Sequence, residues 1–577
     1  MVKFLLGVLS GILLTFFFAL FVVVVAAMLG SGAPSIEQGS VLTVKLRGEI
    51  PEHVGTQFTL DWIRSGPPPT LLDLRNSLKK AAADDRISAL ALHCSGLGTG
   101  WAKAEEIRYG IENFKKSGKP VLAYLSRADT MDYYVASAAD EIFIAPEDSL
   151  DVKGLRAEVT FFADTLEKIG VEAEMERIGK YKSAAEAFSR SSMSDEYREV
   201  VNSILDDVYA RFIATVAASR SKSEDEIKQL IDKGPFLAAD AVEAGLLDGL
   251  KYSDEFDDYL TEKIKQDELR EVSFREYHQS LVSPADLGGG PEIAVVYAVG
   301  TIMTGHSELD PFSGSRTVGS DSFNETLRSL REDDDVKAVI LRVDSPGGDA
   351  FASDLMWREV NLLRAAKPLI VSMSDVAASG GYYIAMADAP VLAYAGTTTG
   401  SIGVFFGKLN LRGLYDKLGI KKEIVSRGQF AAIDTDYRSM TAAEKEKMQD
   451  QIRAFYHAFV QKVADSRGRE WDDIDKVAQG RVWMGSQAHE QGLVDELGGF
   501  DRAIEMAQQA AELEDGAFRV VPYPAPKELF EALFDSDAFA WTQAIDFPLP
   551  AALRSVLSPS LLRGGILQLA PYSITVQ

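Results

Sequence analysis

The longest apolar stretch of the chain lies at its amino terminus, where Phe4 to Leu29 contain no charged residue. A run of roughly 26 residues is long enough to cross ~30 Å of hydrocarbon, whereas the apolar region of a cleaved signal peptide spans about 7–15 residues. Residues 1–32 are therefore predicted to form an uncleaved transmembrane signal anchor, with cleavage near Gly30–Ala33 as the alternative. Lys3 precedes the run, so the positive-inside rule places the rest of the chain across the membrane.

Behind this run, short apolar segments alternate with stretches of helical periodicity. Ala338–Val343 is apolar on both faces except at Arg342, and Ser353–Ala366 has the pattern of the helix that follows it. Strands that are apolar on both faces and separated by helices are typical of a parallel sheet covered on both sides. The pattern predicts an α/β fold.

The pattern occurs twice, at an offset that stays near 250 residues. Five segments of the first half match five of the second in the same order: Val44–Ile50 with Val296–Ile302, Asp85–Leu92 with Asp334–Leu341, Lys119–Leu122 with Lys367–Ile370, Tyr133–Ala136 with Tyr382–Ala385, and Ala244–Asp248 with Gln491–Asp495. Ordered matches at nearly one offset indicate an internal duplication.

The duplication predicts two tandem α/β domains, over residues 40–280 and 291–515. The boundary falls near 280–290, where Pro284 and the run Gly288–Gly290 break regular structure. Residues 516–577 lose the periodicity and form a predicted tail, which packs on its own domain, on another subunit or at the membrane surface.

The two copies differ in their glycine-rich loops. Opposite Ala378–Gly381 the first copy has Asp129–Asp132, and opposite Asp344–Gly348 it has Ser95–Thr99. Loops that served folding alone would tolerate the same small residues in both copies. The asymmetry therefore favours a chemical role for the loops of the second copy.

Composition narrows the classes of function. The formal net charge of −26 repels phosphate backbones, so nucleic acid is excluded as a partner. Cys94 is the single cysteine, which rules out an intrachain disulfide. The sequence has no metal-ligand spacing and no Walker-type loop, so no metal or cofactor is expected.

Ser379 is the candidate nucleophile, because Ala377–Tyr382 sets a serine before two glycines at the start of a plausible helix. Helix-start N–H groups stabilise negative charge, as an oxyanion requires. The Asp344–Gly348 turn ends a neighbouring strand and offers a second donor, while Gly380 N–H offers the first. Plain glycine turns between strands and helices are the alternative for both loops.

A serine nucleophile needs a base. None of the six histidines lies in a motif of Ser-His-Asp type, although residues distant in sequence can meet in the fold. A desolvated lysine is the remaining base, because burial lowers its pKa toward neutrality. Spacing alone does not choose the lysine. Gly179–Ala185 contains Lys182 among small and aromatic residues that could bury an amine, yet on the residues alone Lys182 is expected to be a solvated surface lysine.

Together these motifs resemble the signal peptide peptidase A family, of the long tandem-domain protease IV type. The segments that carry the resemblance are Tyr181–Ala184, Asp344–Gly348, Ala378–Tyr382 and Thr399–Gly403, behind an amino-terminal anchor. The resemblance covers roughly residues 40–515. It implies a fold shared with Clp protease subunits and crotonases.

The resemblance also implies a role for each site residue. Ser379 corresponds to the nucleophile and Lys182 to the general base, each from a different repeat. Gly380 and the Gly347–Gly348 turn correspond to the oxyanion segments, and Ser401 to a serine that holds the lysine. Which of the two glycines in the turn donates is left open.

Further expectations follow from the same resemblance. They are a homotetramer in a bacterial inner membrane, single-pass, with the catalytic domains on the extracytoplasmic side and the lipid bilayer as partner. The implied substrates are released signal peptides and other short hydrophobic peptides. Two rival hypotheses remain: an acyl-CoA enzyme of the crotonase fold, and a membrane scaffold without activity.

Overall fold

The computed structural model describes residues 36–54, 68–280, 290–308, 316–524, 565–569 and 575–576, together with Gly11 and Thr15. The predicted anchor and most of the predicted tail lie outside these residues. Within the described part of the chain, no helix is both long and apolar enough to cross a membrane.

The first repeat is built on a six-stranded parallel sheet. In spatial order its strands are Gly249–Leu250, Glu141–Ile144, Val121–Leu125, Ile87–Leu97, Ser40–Gly48 and Glu271–Ser273. Its helices are Leu71–Ala83, Trp101–Lys115, Thr130–Ala136, Ala163–Ile169, Glu186–Ser189, Asp195–Arg220, Glu224–Ile231, Ala238–Glu243, Ser253–Lys263 and Phe274–Ser280, with a 3₁₀ turn at Ser183–Ala185.

The second repeat has the same strand order in its own sheet. The equivalent strands are Glu496–Leu497, Val391–Ala393, Leu369–Ala378, Val336–Ser345, Glu292–Val299 and Arg519–Tyr523, with Thr398–Gly400 and Val482–Met484 added beside Leu369–Ala378. Its helices are Ser320–Glu332, Ala350–Ala366, Gly380–Ala385, Arg412–Leu418, Ala442–Arg467, Trp471–Val477, Gly485–Glu490 and Phe500–Ala510. Arg519–Tyr523, from the predicted tail, is thus an edge strand of this sheet.

The hydrophobic pattern explains these elements. Residues 338–343 are all buried because helices cover both faces of the central strand, so the run carries no polar alternation. The Ala442–Arg467 helix begins at a capping box formed by Thr441 and Glu444. It ends at Gly468, whose φ of 60° suits the left-handed cap that glycine favours. The predicted α/β fold is confirmed.

A third sheet joins the repeats. Its strands, in order, are Thr317–Gly319, Thr301–Met303, Gly347–Asp349, Gly565–Leu569, Val404–Asn410 and Glu172–Ile178. The last of these belongs to the first half of the chain and pairs antiparallel with Val404–Asn410, with Ile178 opposite Val404. Two small sheets complete the fold: Ala128–Asp129, Ser149–Asp151 and Phe236–Leu237 form one, and Ala157–Glu158 with Thr575–Val576 the other.

Buried ion pairs also link the two repeats. Arg342, which is 1% exposed, donates to both oxygens of Glu52 at 3.0 and 2.9 Å and to Glu106 at 2.7 Å. A buried charge is tolerated only when it is paired and hydrogen-bonded. The repeats are therefore held in one relative position by groups that have specific partners, as well as by apolar packing.

Candidate active site

Ser379 lies at the junction of the Leu369–Ala378 strand and the Gly380–Ala385 helix, as predicted. Its backbone has φ 57° and ψ −113°, a conformation that non-glycine residues rarely adopt. Its N–H donates to Gly400 O at 2.8 Å, and its carbonyl accepts from Tyr383 N–H at 2.8 Å. Its hydroxyl makes no capping bond to the helix, so Oγ points elsewhere.

The Asp344–Gly348 turn lies against the Ser379 loop, because the strands that lead to them are parallel neighbours. Glycine permits this close approach. A Cβ on Gly380 would lie 3.0 Å from Gly347 Cα and 3.1 Å from Gly348 N. Gly347 itself has φ +101°, which is in the left-handed region. Its N–H donates to Ser345 Oγ at 3.2 Å.

Lys182 reaches the site through the third sheet. The Glu172–Ile178 strand ends opposite Val404, so the chain that follows it runs beside Ser401. The lysine then passes through a narrow slot between two glycines. A Cβ on Gly480 would lie 2.6 Å from Lys182 Cβ, and one on Gly403 would lie 3.2 Å from Lys182 Cδ.

The amine of Lys182 has three polar neighbours. Its Nζ lies 2.6 Å from Ser379 Oγ, 3.0 Å from Ser401 O and 3.0 Å from Ser401 Oγ. All three residues are 0% exposed. Burial lowers the pKa of Lys182 well below its usual range.

The structure thus brings together all six residues named from the sequence: Ser379, Lys182, Ser401, Gly380, Gly347 and Gly348. The expectation, from the residues alone, that Lys182 is a solvated surface lysine is wrong. The reason lies in the third sheet, which carries Lys182 from one repeat into the interior of the other.

The sequence reasoning missed the groups that hold the Lys182 loop. Arg177 donates to Lys182 O at 3.0 Å and to Glu186 Oε1 at 2.7 Å. Glu186, which is 2% exposed, also accepts from Ser194 N–H at 3.0 Å and from Ser194 Oγ at 2.7 Å. No local motif marks these residues. Gly403 belongs to the Thr399–Gly403 motif, and in the structure it forms one wall of the lysine slot.

The six histidines, all within the described residues, have partners of their own. His53 stacks on Tyr297, His93 packs on Tyr124 and Phe256, His278 contacts Ser77, His306 contacts Ser322, His457 stacks on Trp471, and His489 contacts Val494 O. The group hydrogen-bonded to Ser379 Oγ is Lys182. The basic group at this serine is therefore an amine.

Comparison with known proteins identifies the class. Peptidase family S49 matches the chain twice, over residues 113–267 and 361–514. The chloroplastic serine protease SPPA of Arabidopsis thaliana is 40% identical over 483 residues, which cover 83% of this chain and 70% of that protein. Protease 4 of Salmonella typhi is 33% identical over 510 residues, covering 85% of this chain and 79% of its own.

Protease 4 of Haemophilus influenzae is also 33% identical, over 76% of this chain and 72% of its own length. Among solved structures, a mutant of ClpP1 from Listeria monocytogenes matches 36% of this chain and 94% of its own, with 13% identity and a TM-score of 0.24. The two matches to the family model show that the chain has two copies of a peptidase domain.

The chain belongs to peptidase family S49 and is a serine protease. This finding favours the protease over the two rival hypotheses, the acyl-CoA enzyme and the inactive scaffold.

Proposed function

We propose that the protein is a membrane-anchored endopeptidase with a Ser–Lys dyad, in which Ser379 is the nucleophile and Lys182 the general base. The observation that carries this proposal is the set of three contacts around Lys182 Nζ. A neutral amine has two N–H donors and one lone pair. The donors suit the two oxygens of Ser401, which leaves the lone pair to accept the proton of Ser379 Oγ–H.

The mechanism follows from this arrangement. Neutral Lys182 takes the hydroxyl proton while Ser379 Oγ attacks the peptide carbonyl, and the resulting ammonium gives a proton to the leaving amine. Water, deprotonated by the same amine, then hydrolyses the acyl-enzyme. Burial favours the neutral amine before attack, and the Ser401 oxygens keep its lone pair aimed at Oγ.

The oxyanion is stabilised by backbone N–H groups. Gly380 N–H stands at the first turn of the Gly380–Ala385 helix, where N–H groups have no intrahelical acceptor. In the facing turn, Gly347 N–H already donates to Ser345 Oγ. We therefore favour Gly348, whose nitrogen lies beside Gly380, as the second donor.

Peptide substrates are proposed to bind in extended form beside this turn. The backbone of Gly347–Asp349 already pairs antiparallel with Gly565–Leu569, which also pairs with residues 405–407. A slot that accepts one strand by main-chain hydrogen bonds recognises extended peptide without regard to most side chains. Released signal peptides and short hydrophobic fragments are the proposed substrates, and the apolar run Phe4–Leu29 would keep the enzyme at their source.

Active-site labelling tests the dyad. A peptide phosphonate is expected to modify Ser379 in the membrane-bound protein, with the site mapped by mass spectrometry. Ser379→Ala and Lys182→Ala are each expected to abolish peptide hydrolysis while circular dichroism and melting show an intact fold. Near-normal hydrolysis by Lys182→Ala would remove the lysine from the mechanism.

Location and substrate class need separate measurements. Carbonate extraction is expected to leave the full chain in the membrane fraction, and an added protease is expected to reach the catalytic repeats only from the extracytoplasmic side. Synthetic signal peptides are expected to be cleaved faster than polar peptides of equal length. Equal rates for the two peptide sets would remove the preference for hydrophobic substrates.

A homotetramer is proposed from the family resemblance, and the duplication points to the contact that would build it. At the offset of the repeat, the segment around Gly428 is the second-repeat equivalent of the Lys182 segment. Two of its apolar side chains are exposed: Ile424 (44%) and Val425 (85%). The first repeat has an open pocket of about 420 Å³, lined by apolar Pro235, Phe236 and Leu237 and by polar Arg127, Ser149, Asp151 and Asp240. Docking of this segment into the cavity of the next copy would repeat the contact made within one chain, and head-to-tail contacts of this kind close into rings.

Light scattering tests this assembly. Val425→Asp is expected to convert tetramers to smaller species, whereas Leu497→Asp, at another exposed apolar position, is expected to leave them intact. An unchanged mass for Val425→Asp would exclude the segment from the interface.

A further inference from the structure

Three charged side chains meet where the repeats touch, directly behind the two loops of the site. Lys103 comes from the Trp101–Lys115 helix of the first repeat, and Asp344 and Asp375 come from the second. Lys103 Nζ lies 2.8 Å from Asp344 Oδ2 and 3.5 Å from Asp375 Oδ2. The three side chains are 5%, 12% and 14% exposed, so solvent screens these contacts weakly.

Asp375 also caps a helix of the other repeat. Its carboxylate accepts from Gly100 N–H at 3.1 Å and from Lys103 N–H at 3.0 Å, both at the start of the Trp101–Lys115 helix. Gly100 is the N-cap residue and has no side chain with which to cap. The carboxylate supplies the missing acceptor and lies at the positive end of the helix dipole. A methyl group on Gly100 would overlap this carboxylate.

On the second repeat, the same carboxylates connect the two loops. Asp344 Oδ1 accepts from Val376 N–H at 3.1 Å, which ties together the strands that lead to Gly347 and to Ser379. Asp375 and Ser379 belong to one short segment at the end of the Leu369–Ala378 strand. A displacement of Asp375 is therefore transmitted directly to Ser379.

These charges occur once, although the fold occurs twice. At the offset that superimposes Ala89 on Ala338 in the two sheets, Asp344 corresponds to Ser95, and Asp375 to Ser126. Lys103 corresponds to Ala352 in the same way. Each charge is thus absent from the equivalent position of the other repeat, which builds the same sheet and helices without it. The three charges therefore serve the contact between the repeats and not the fold of either repeat.

The pKa shifts of Asp375 and Lys103 favour an ion pair between them at neutral pH. Burial raises the pKa of Asp375 to about 6, and the neighbouring Lys103 opposes a larger rise. Burial lowers the pKa of Lys103, but Asp344, Asp375 and Glu52 outweigh it and the net shift is upward. Both groups are therefore charged at pH 7.

We infer that Lys103, Asp344 and Asp375 are positioning residues of the peptidase site. They hold the end of the Ser379 strand on the first repeat, so that Lys182 and Ser379 meet at hydrogen-bonding distance. The inference rests on the proposed dyad. It follows from the split site, because a misplacement of about 1 Å between reacting groups costs up to about 100-fold in rate.

Gly100→Ala provides the sharpest test, because it displaces Asp375 while keeping every charge. Gly98→Ala is its matched control, since a Cβ there meets its nearest atom at an ordinary 3.6 Å. Active sites are titrated to completion with the phosphonate, and kcat per titrated site is measured on a peptide. Gly100→Ala is expected to lower kcat about 10-fold or more, with KM changed less than about 2-fold. Gly98→Ala is expected to match the parent protein.

Charge variants give a second, independent measurement. Asp375→Asn and Lys103→Met are each expected to lower kcat per titrated site, and the double variant is expected to lose less than the product of the two losses. Glu359→Gln is the control, because Glu359 is a buried carboxylate paired to Arg328 and Arg331 within one repeat. It is expected to lower the melting temperature and leave kcat per titrated site unchanged.

An unchanged kcat per titrated site in both Gly100→Ala and Asp375→Asn would overturn the inference, because a purely structural role reduces the amount of active enzyme and not its turnover. If Asp375→Asn fails to fold, Gly100→Ala decides alone. Phosphonate labelling at a residue other than Ser379 would overturn the proposed dyad instead, and the mapped label separates the two failures.

Discussion

Lys182 lies where an amine does not readily keep its proton. Its Nζ is surrounded by two hydroxyls and a carbonyl, and within the described part of the chain no carboxylate pairs with it to stabilise a charge. Burial is the cause of its lowered pKa. The same feature that suits a general base is costly for folding, because burial opposes the charged amine that the unfolded chain carries there.

This folding cost predicts that Lys182→Met increases the stability of the native state by an amount that depends on pH. Below about pH 10.4 the unfolded state holds the proton, so native stability rises with pH between the folded pKa and that value. Lys182→Met removes the penalty, which is about 1.4 kcal/mol for each unit by which the pKa is lowered. The variant is expected to melt above the parent at pH 7, with a gap that narrows toward pH 10, as followed by thermal denaturation across pH.

Lys408→Met is the control for this prediction. Lys408 is also buried, but its Nζ lies 3.6 Å from Glu174, so its removal leaves a carboxylate without a cation. That variant is expected to be destabilised at pH 7. A destabilised Lys182→Met with a gap independent of pH would contradict a neutral lysine.

Activity is expected to depend on pH in the same direction. Attack requires the neutral amine, so kcat/KM should rise as pH increases through the lowered pKa of Lys182 and reach its plateau well before the ordinary lysine value of about 10.4. A pH–rate profile on a neutral peptide measures this. A single limb near pH ~6.5 would indicate a histidine base instead.

At the scale of elements, one strand pairing brings the candidate residues together. The Glu172–Ile178 strand leaves the first half of the chain and joins the sheet of Val404–Asn410. Register matters here, since a slip of one residue would turn every side chain to the other face. With Ile178 opposite Val404, the following loop enters the slot between Gly403 and Gly480.

The slot predicts the effect of Gly403→Ala. A Cβ at this position would lie 2.7 Å from Gly480 Cα and 3.2 Å from Lys182 Cδ, so the Gly480 backbone that walls the slot must move and Lys182 must adjust with it. The variant is expected to lose about 10- to 100-fold in kcat/KM and about 1–3 kcal/mol of stability, measured by peptide hydrolysis and denaturant unfolding. Gly290→Ala, where a Cβ meets nothing within 4 Å, is the control. Full activity in Gly403→Ala would show that Lys182 tolerates displacement.

At the scale of the whole molecule, the strand Gly565–Leu569, near the carboxyl terminus, lies beside the Gly347–Asp349 turn of the site. Gly565–Leu569 lies between Gly347–Asp349 and Val404–Asn410, on the backbone proposed to bind peptide. An internal strand competes with added substrate at an effective concentration in the millimolar range. The full chain is therefore expected to hold its own tail in the substrate slot.

Deletion of residues 565–577 tests this competition. The shortened protein is expected to show a KM for peptides lower by about 3- to 10-fold, with kcat little changed, because substrate no longer displaces the tail. Deletion of residues 575–577 alone is the control, since it removes the pairing with Ala157–Glu158 and leaves the strand in the slot. An unchanged KM in the longer deletion would indicate that peptides bind elsewhere.

Local pattern predicted much of this architecture. The apolar run Ala338–Val343 lies in the observed strand Val336–Ser345, and the helix expected at Ser353–Ala366 spans Ala350–Ala366. Such elements depend on neighbours in the sequence, which is why periodicity finds them. The matched segments likewise predicted that the second half repeats the elements of the first.

The partner of Ser379 did not follow from local pattern. Lys182 is 197 residues away along the chain, and on the residues alone it was expected at the surface. Its burial depends on the register of one strand pair, on two glycines and on the Arg177–Glu186 contact, none of which has a sequence signature. The pairing of Lys103 with Asp375 could not be predicted from the sequence either. Both are residue types that usually lie at the surface, and they meet only when the repeats pack together.

The sequence by itself determined the α/β class, the duplication, the serine at a helix start and the family. The family resemblance named Lys182, but only the tertiary structure decided how that amine meets the serine, how it is desolvated, and which charges pair between the repeats. The physical reason is that hydrophobic period and turn chemistry act over a few residues, whereas desolvation and charge pairing depend on distances between residues that are remote along the chain.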